Sequence, residues 1–319
     1  MPASSITARS VAFVAAKRPG ARGLGRSLGD DVGEPEQFAT ALRRGLDALA
    51  DPAYQHGQAF VAPGIGHTLG VRTPLLGAVA AGLRSTTRRD RPAPLLSIAD
   101  RLLREDYLEA HWLAFGLLGR LVLVDPERAW QLLRRAARQA ADWITVDTLA
   151  RPYAIGVLDA SFRWAELEQL VFSASRWERR LVASTIAALP HEDRRHRLPD
   201  DVRSAGIDLL GQLIGDSEPD VQKALAWAYR TLAGEDPAAT LAALERETET
   251  AAATGDGHRA WVIRDSLAKL PRDDAERLRS RLDGVHRTPG APATSAAAAI
   301  RTRFDELPEP RNQPEPPLD

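Results

Sequence analysis

Along most of this chain apolar residues recur at three- and four-residue steps, and almost nowhere at every second residue. Leu113, Leu117, Leu118 and Leu121 fall on one helix face. Asp125-Pro126 and Asp236-Pro237 place a capping carboxylate and then a proline where helices begin. Ser175 to Glu178 has the spacing of a capping box. No run of alternating β-branched residues reads as a strand. The pattern predicts an all-α chain, and it predicts helices in pairs. First helices of pairs begin near Tyr107, Asp142, Arg176, Ser217 and His258, about 35, 34, 41 and 41 residues apart. HEAT-type repeats run about 40–47 residues. Helix pairs stacked at that interval make an α-solenoid with an extended concave surface, here a HEAT-like superhelix of about five or six pairs.

The repeats are expected over residues 36–283 of the 319. Residues 1–35 read as a disordered or extended tail, because Gly20 to Gly29 is a Gly/Arg stretch followed by Asp30, Asp31, Gly33 and Pro35. Residues 284–319 read as a second disordered tail, rich in Pro and Ala and closing with Pro308, Pro310, Pro314, Pro316 and Pro317. Neither segment has the apolar periodicity that offsets the entropy of folding.

Apolar residues make up 44% and charged residues 27%, which suits a globular chain. The absence of cysteine removes disulfides, thiol catalysis and cysteine-based metal sites, and points to a reducing cytoplasm. No apolar run approaches the ~20 residues of a membrane span, so no membrane partner is expected. Val11 to Ala16 is too short for the apolar part of a signal peptide, about 7–15 residues. The net charge of −1 does not announce a nucleic-acid partner. The positive charge is nearly all arginine, and it clusters at Arg134, Arg135 and Arg138 and at Arg176, Arg179 and Arg180. A local patch binds phosphate without a basic total.

Two motifs fail on their own terms. Gly20 to Ser27 reads G-A-R-G-L-G-R-S, near a phosphate-binding P-loop, but arginine replaces the lysine and no helix opens cleanly after it. His191-Glu192 with His196 resembles a zinc-protease motif, but five residues separate the histidines where four are needed for one helix face. No metal is expected. Three further sets are more informative. Trp143 and Asp147 share a helix face, as do Lys223, Trp227 and Arg230, and Arg176 and Arg180. Singly they read as core tryptophans and solvated charges. Together they fall on the first helices of three successive repeats, whose equivalent helices line one surface.

Four segments then resemble a known family. Leu69-Gly70-Val71-Arg72-Thr73-Pro74 is similar to an L-G-I/V-x-T-P turn, and Trp143-Ile144-Thr145-Val146-Asp147 to W-D-S-V-D. Arg176-Trp177-Glu178-Arg179-Arg180 resembles I-W-L-Q-R, and Val221 to Trp227 followed by Arg230 resembles I-Q-K-A-I-G-W-x-x-R. In this order they resemble the AlkD-like alkylpurine DNA glycosylases, a HEAT-like repeat family, over roughly residues 40–272. The resemblance implies that Asp147 is the catalytic carboxylate. It implies that Trp143 and Trp227 are aromatic walls against the deoxyribose. Arg180 and Arg230 would hold nearby phosphates, with Arg176, Arg179 and Lys223 adding to the basic face. The family excises cationic N3- and N7-alkylpurines, bulky adducts included, from double-stranded DNA without flipping the lesion. No cofactor is implied. A monomer in the bacterial cytoplasm, on the nucleoid, is the expected setting. The chain departs from the family just before the Leu69-Gly70 turn, where Phe60 to Gly66 holds neither the family's tyrosine nor its lysine.

The residue types suit that chemistry. An alkylated purine already carries a positive charge and leaves without a general acid. The sugar passes through an oxocarbenium-like transition state, which a fixed carboxylate and aromatic faces stabilise. Two other readings stay open from sequence alone: a helical-repeat module that grips damaged or branched DNA without excision, and a protein-interaction scaffold.

Overall fold

The computed structural model describes residues 3–88, 90–193 and 198–305, and among them there is no strand. Helix α1 is Ala3–Ser27, α2 Pro35–Asp47, α3 Pro52–Val61, α4 Thr73–Thr86 and α5 Pro92–Leu102. Regular pairs follow: α6 Leu108–Leu121 with α7 Pro126–Gln139, α8 Trp143–Asp159 with α9 Trp164–Val171, and α10 Arg176–Glu192 with α11 Asp200–Leu213. Then come α12 Pro219–Glu235 with α13 Pro237–Thr254, α14 Gly257–Ser266 with α15 Arg272–Arg281, and α16 Ala296–Asp305.

Local chemistry sets these boundaries. Helices α2, α3, α5, α7, α12 and α13 each open on proline, whose missing N–H costs nothing in the first turn. Asp51, Asp142, Asp236 and Asp256 accept backbone N–H groups at the starts of α3, α8, α13 and α14. The capping box expected at Ser175 does not form. Instead the Ser173 hydroxyl donates to Glu178 and accepts the Ser175 N–H at 3.0 Å. Asp125 precedes α7 without capping it and pairs with Arg128.

The pairs stack in two layers. Along one, α6 lies against α8, α8 against α10, α10 against α12 and α12 against α14. Along the other, α9 touches α11, α11 touches α13 and α13 touches α15. This is an all-α helical-repeat solenoid. Its core fills the space between the layers, with Trp130, Tyr153, Tyr229 and Phe115 essentially sealed from solvent. The Trp130 and Tyr153 rings meet at 4.6 Å.

Both expected tails are ordered where they are described. The Gly/Arg stretch belongs to α1 and the 3₁₀ turn Leu28–Asp31. Helix α1 lies along α4 at backbone distance: a Cβ on Gly25 would fall 2.0 Å from the Val79 carbonyl oxygen, and one on Gly82 would fall 2.2 Å from that of Arg22. Gly25 and Gly82 are therefore contact positions between the two helices. Glycine lowers helix propensity and carries no apolar side chain, so such a helix gives no periodic signal. At the other end, residues 284–295 run back over the last repeats. The Thr294 N–H donates to the Gly215 carbonyl at 2.9 Å, and α16 rests on α11. Pro308 and the prolines after it lie outside the described residues.

Candidate functional site

The start of α8 sets the site. Asp142 accepts the Thr145 N–H at 2.9 Å, and Thr145 Oγ1 accepts the Trp112 indole N–H at 3.2 Å. That fixes the first turn, and with it half-buried Trp143 and, one turn on, Asp147. Helix α10 supplies the partners of Asp147. Arg180 Nε donates to Oδ1 at 3.1 Å and Nη2 to Oδ2 at 2.8 Å, a two-pronged clasp. Ser184, one turn after Arg180, donates to Oδ1 at 2.7 Å. The third arm of the guanidinium, Nη1, donates to the Asp220 carbonyl on α12. The Arg180 guanidinium also stands 5.9 Å from the Trp143 ring centre. Asp147 keeps 22% of its side chain open to solvent. A carboxylate has about four acceptor sites. Three are used here, and the one left is on Oδ2.

The expected phosphate-binding arginines fare differently. Arg180 faces Asp147 with two of its arms and a carbonyl with the third, so it positions the carboxylate instead of reaching outward. Arg179 points into the protein, pairs with fully buried Asp216 at 2.7 Å and donates to the Ser173 and Ala174 carbonyls at 2.9 and 3.0 Å. One residue is about 100° around a helix, which is why Arg179 leaves the surface its neighbours share. All of its observed partners are inside the protein, not on the surface where a phosphate contact was expected. Arg176 stays exposed, lies 4.7 Å from the Trp177 ring centre and meets Glu218 at 3.4 Å.

On α12, Asp220, Lys223, Trp227 and Arg230 recur at steps of three and four, so they form a stripe that begins where Arg180 touches the helix. Lys223 is exposed and has no partner among the described residues. Trp227 is half-buried against the core. Arg230 pairs with Asp265 of α14 at 2.7 Å. The structure thus joins Trp143, Asp147 and Arg180 directly, and sets Trp227, Lys223 and Arg230 on the next helix but one.

Trp143 also faces a cavity of about 950 Å3 between α3, α4, α6 and α8. Its walls include residues the sequence reading passed over: Tyr54, Trp112, Arg84 and Arg120. Tyr54 supplies an aromatic hydroxyl close to the segment where the family's tyrosine was missing. It sits on α3, before Phe60, and its hydroxyl lies 3.4 Å from that of Thr73. The Leu69-Gly70-Val71 turn has an internal role. Buried Glu109 accepts the backbone N–H groups of Leu69, Gly70 and Val71 at 2.9–3.1 Å. Gly70 takes φ +81°, and a Cβ there would meet Gln55 and the Asp51 carbonyl.

The family model described as DNA alkylation repair enzyme matches residues 42–270. The chain belongs to that family. No curated protein matches it. The match takes in every site residue named above and places this DNA alkylation repair family member in DNA repair. Helices α1, α15 and α16 lie outside the match. Among the described residues no group of three or more His, Asp or Glu is placed to hold a metal. His191 is exposed, Glu192 pairs with Arg151 at 2.6 Å, and His196 lies outside the described residues. Among the described residues no helix is long and apolar enough to cross a membrane.

Proposed function

We propose that this protein is a DNA glycosylase that hydrolyses the N-glycosidic bond of cationic N3- and N7-alkylated purines in duplex DNA. The observation that carries the reading is Asp147, held rigidly by Arg180 and Ser184, partly open to solvent and beside Trp143. In the proposed reaction the C1′–N bond breaks and its electron pair leaves with the base, neutralising the purine. The sugar becomes an oxocarbenium-like cation. Asp147 faces that developing charge without having to reorient, because its partners already hold it. The remaining acceptor site on Oδ2 holds the water that adds to C1′, and the proton this water loses passes to Asp147 and from it to solvent. Trp143 and Trp227 present aromatic faces to the cation, at about 0.5–2 kcal/mol per contact. Arg176, Lys223 and Arg230 hold phosphates at the rim, and Arg180 positions Asp147. The protein acts as a monomer on the bacterial nucleoid.

The test is duplex DNA bearing one 7-methylguanine, with chromatographic assay of free base. The parent should release it, and Asp147→Asn should be slower by about 100–1000-fold, the scale of one preorganised electrostatic contact. Release by Asp147→Asn at the parent rate, with folding confirmed, would remove Asp147 from the mechanism and favour a module that binds damage without excision.

A further inference from the structure

Four arginines line the cavity beside Trp143: Arg72, Arg84, Arg120 and Arg151. Two of them are neutralised, Arg72 by Asp51 at 2.7 Å and Arg151 by Glu192 at 2.6 Å. Among the described residues neither Arg84 nor Arg120 makes an ion pair, although the charge of Asp90 acts on Arg120. They occupy the last turns of α4 and α6, where a cation complements the helix dipole. That accounts for a charge at each helix end, but not for the convergence of both on one wall. The two charges sense each other. Burial, and then the charge of Arg84, hold the half-buried Arg120 guanidinium below its ordinary range, with Asp90 acting the other way. Arg84 is exposed and Arg120 half-buried, and like charges brought to one wall repel at a cost that a bound anion removes.

We propose that Arg84 and Arg120 form a subsite for a phosphate ester in the cavity that Trp143 shares. Guanidinium forks match phosphate oxygens in geometry as well as charge. At about 950 Å3 the cavity is larger than a phosphate needs. Tyr54, which already has the Arg72 guanidinium 4.9 Å from its ring centre, and Trp112 are aromatic residues of the same wall, the residue type on which an attached nucleoside stacks. Two sources share this chemistry: a phosphodiester of a bound DNA strand, and a free phosphorylated small molecule. Only the first rests on the DNA-repair reading.

The experiment uses the full chain and the double variant Arg84→Gln/Arg120→Gln, with Arg84→Gln alone, at an exposed position, should the double variant fail to fold. Arg272→Gln, an exposed arginine on α15, is the control for simple loss of charge. Binding to undamaged duplex is followed by fluorescence anisotropy across a salt series. The slope of log affinity against log salt should fall by about 0.9 for the phosphate lost, and the control should keep the parent slope. Base release is not scored, so an inactive protein leaves the result readable. In a second arm inorganic phosphate is titrated at constant ionic strength while tryptophan fluorescence is followed, since Trp112 and Trp143 line the cavity. A slope change confined to the arginine variants assigns the subsite to the duplex. A phosphate response lost in those variants at unchanged slope assigns it to a free phosphate ester. Parent-like behaviour of folded Arg84→Gln/Arg120→Gln in both arms, or an equal fall in slope for Arg272→Gln, overturns the proposal.

Discussion

Between α10 and α14 four arginines are bound to acids. Arg179 meets Asp216 at 2.7 Å, Arg203 meets Asp236 at 3.1 Å, Arg230 meets Asp265 at 2.7 Å and Arg259 meets Asp256 at 3.1 Å. In the half built from α3, α4, α6 and α8, two of the four cavity arginines meet none. The same residue type thus does two jobs in one solenoid. In the second half it braces one repeat against another. In the first half Arg101 and Arg135 do the same with Glu36 and Asp100, but Arg84 and Arg120 are left without an ion pair on the cavity wall. An arginine cluster in a sequence is not yet a phosphate-binding surface, because partners far along the chain decide which way each guanidinium turns.

That contrast is open to attack at several points. The largest effect is expected for Arg179→Ala, which strands fully buried Asp216 without its cation. Loss of one partner of a buried pair typically costs about 3–5 kcal/mol, read from denaturant melts. A loss below about 1 kcal/mol would show that Arg179 is not a brace. Arg180→Lys comes next. It keeps the charge but loses the fork that clasps Asp147. Base release should fall by about 10–100-fold, the worth of one charged hydrogen bond at about 1.5–3 kcal/mol. If instead DNA affinity falls and the rate at saturation holds, Arg180 serves phosphate after all. Gly82→Ala places a methyl group against the Arg22 carbonyl and should lower stability by about 1–3 kcal/mol through overpacking. A neutral outcome would mean that α1 is a loosely attached addition. The smallest effect belongs to Arg176→Ala, whose partner Glu218 is also exposed. Melting should stay within about 1 kcal/mol of the parent, while the salt slope of duplex binding falls by about 0.9.

Much of the architecture was legible in the residues. The helix starts read near Tyr107, Asp142 and Arg176 stand within a residue of where α6, α8 and α10 begin. Period and caps are local signals, and the chain carries both. The pairing of Trp143 with Asp147 was legible for the same reason, because a four-residue step on one helix needs no tertiary information. Ser184 was not, although it shares a face with Arg180, because nothing local says that the face meets Asp147. The Arg179–Asp216 bond spans 37 residues and was invisible for that reason. Tyr54 was missed because the segment linking α3 to the Leu69-Gly70 turn separates it in sequence from Thr73, which its hydroxyl approaches. The first tail was misread because Gly25 and Gly82 stabilise the fold through the absence of a side chain, which no hydropathy pattern reports.

One side chain has a mechanical consequence. Arg180 stands on α10, grips Asp147 on α8 and reaches the backbone of α12 at Asp220. A stack of repeats behaves like a leaf spring, in which each leaf turns slightly against the next. Here the three central leaves are riveted together by a single guanidinium. Were the stack to open or close around a rod-shaped load, such a rivet would resist flexure between α8, α10 and α12 and leave it to the repeats on either side. The carboxylate would then sit where the spring bends least, and its distance to Trp143 would stay the same while the two ends adjust their grip.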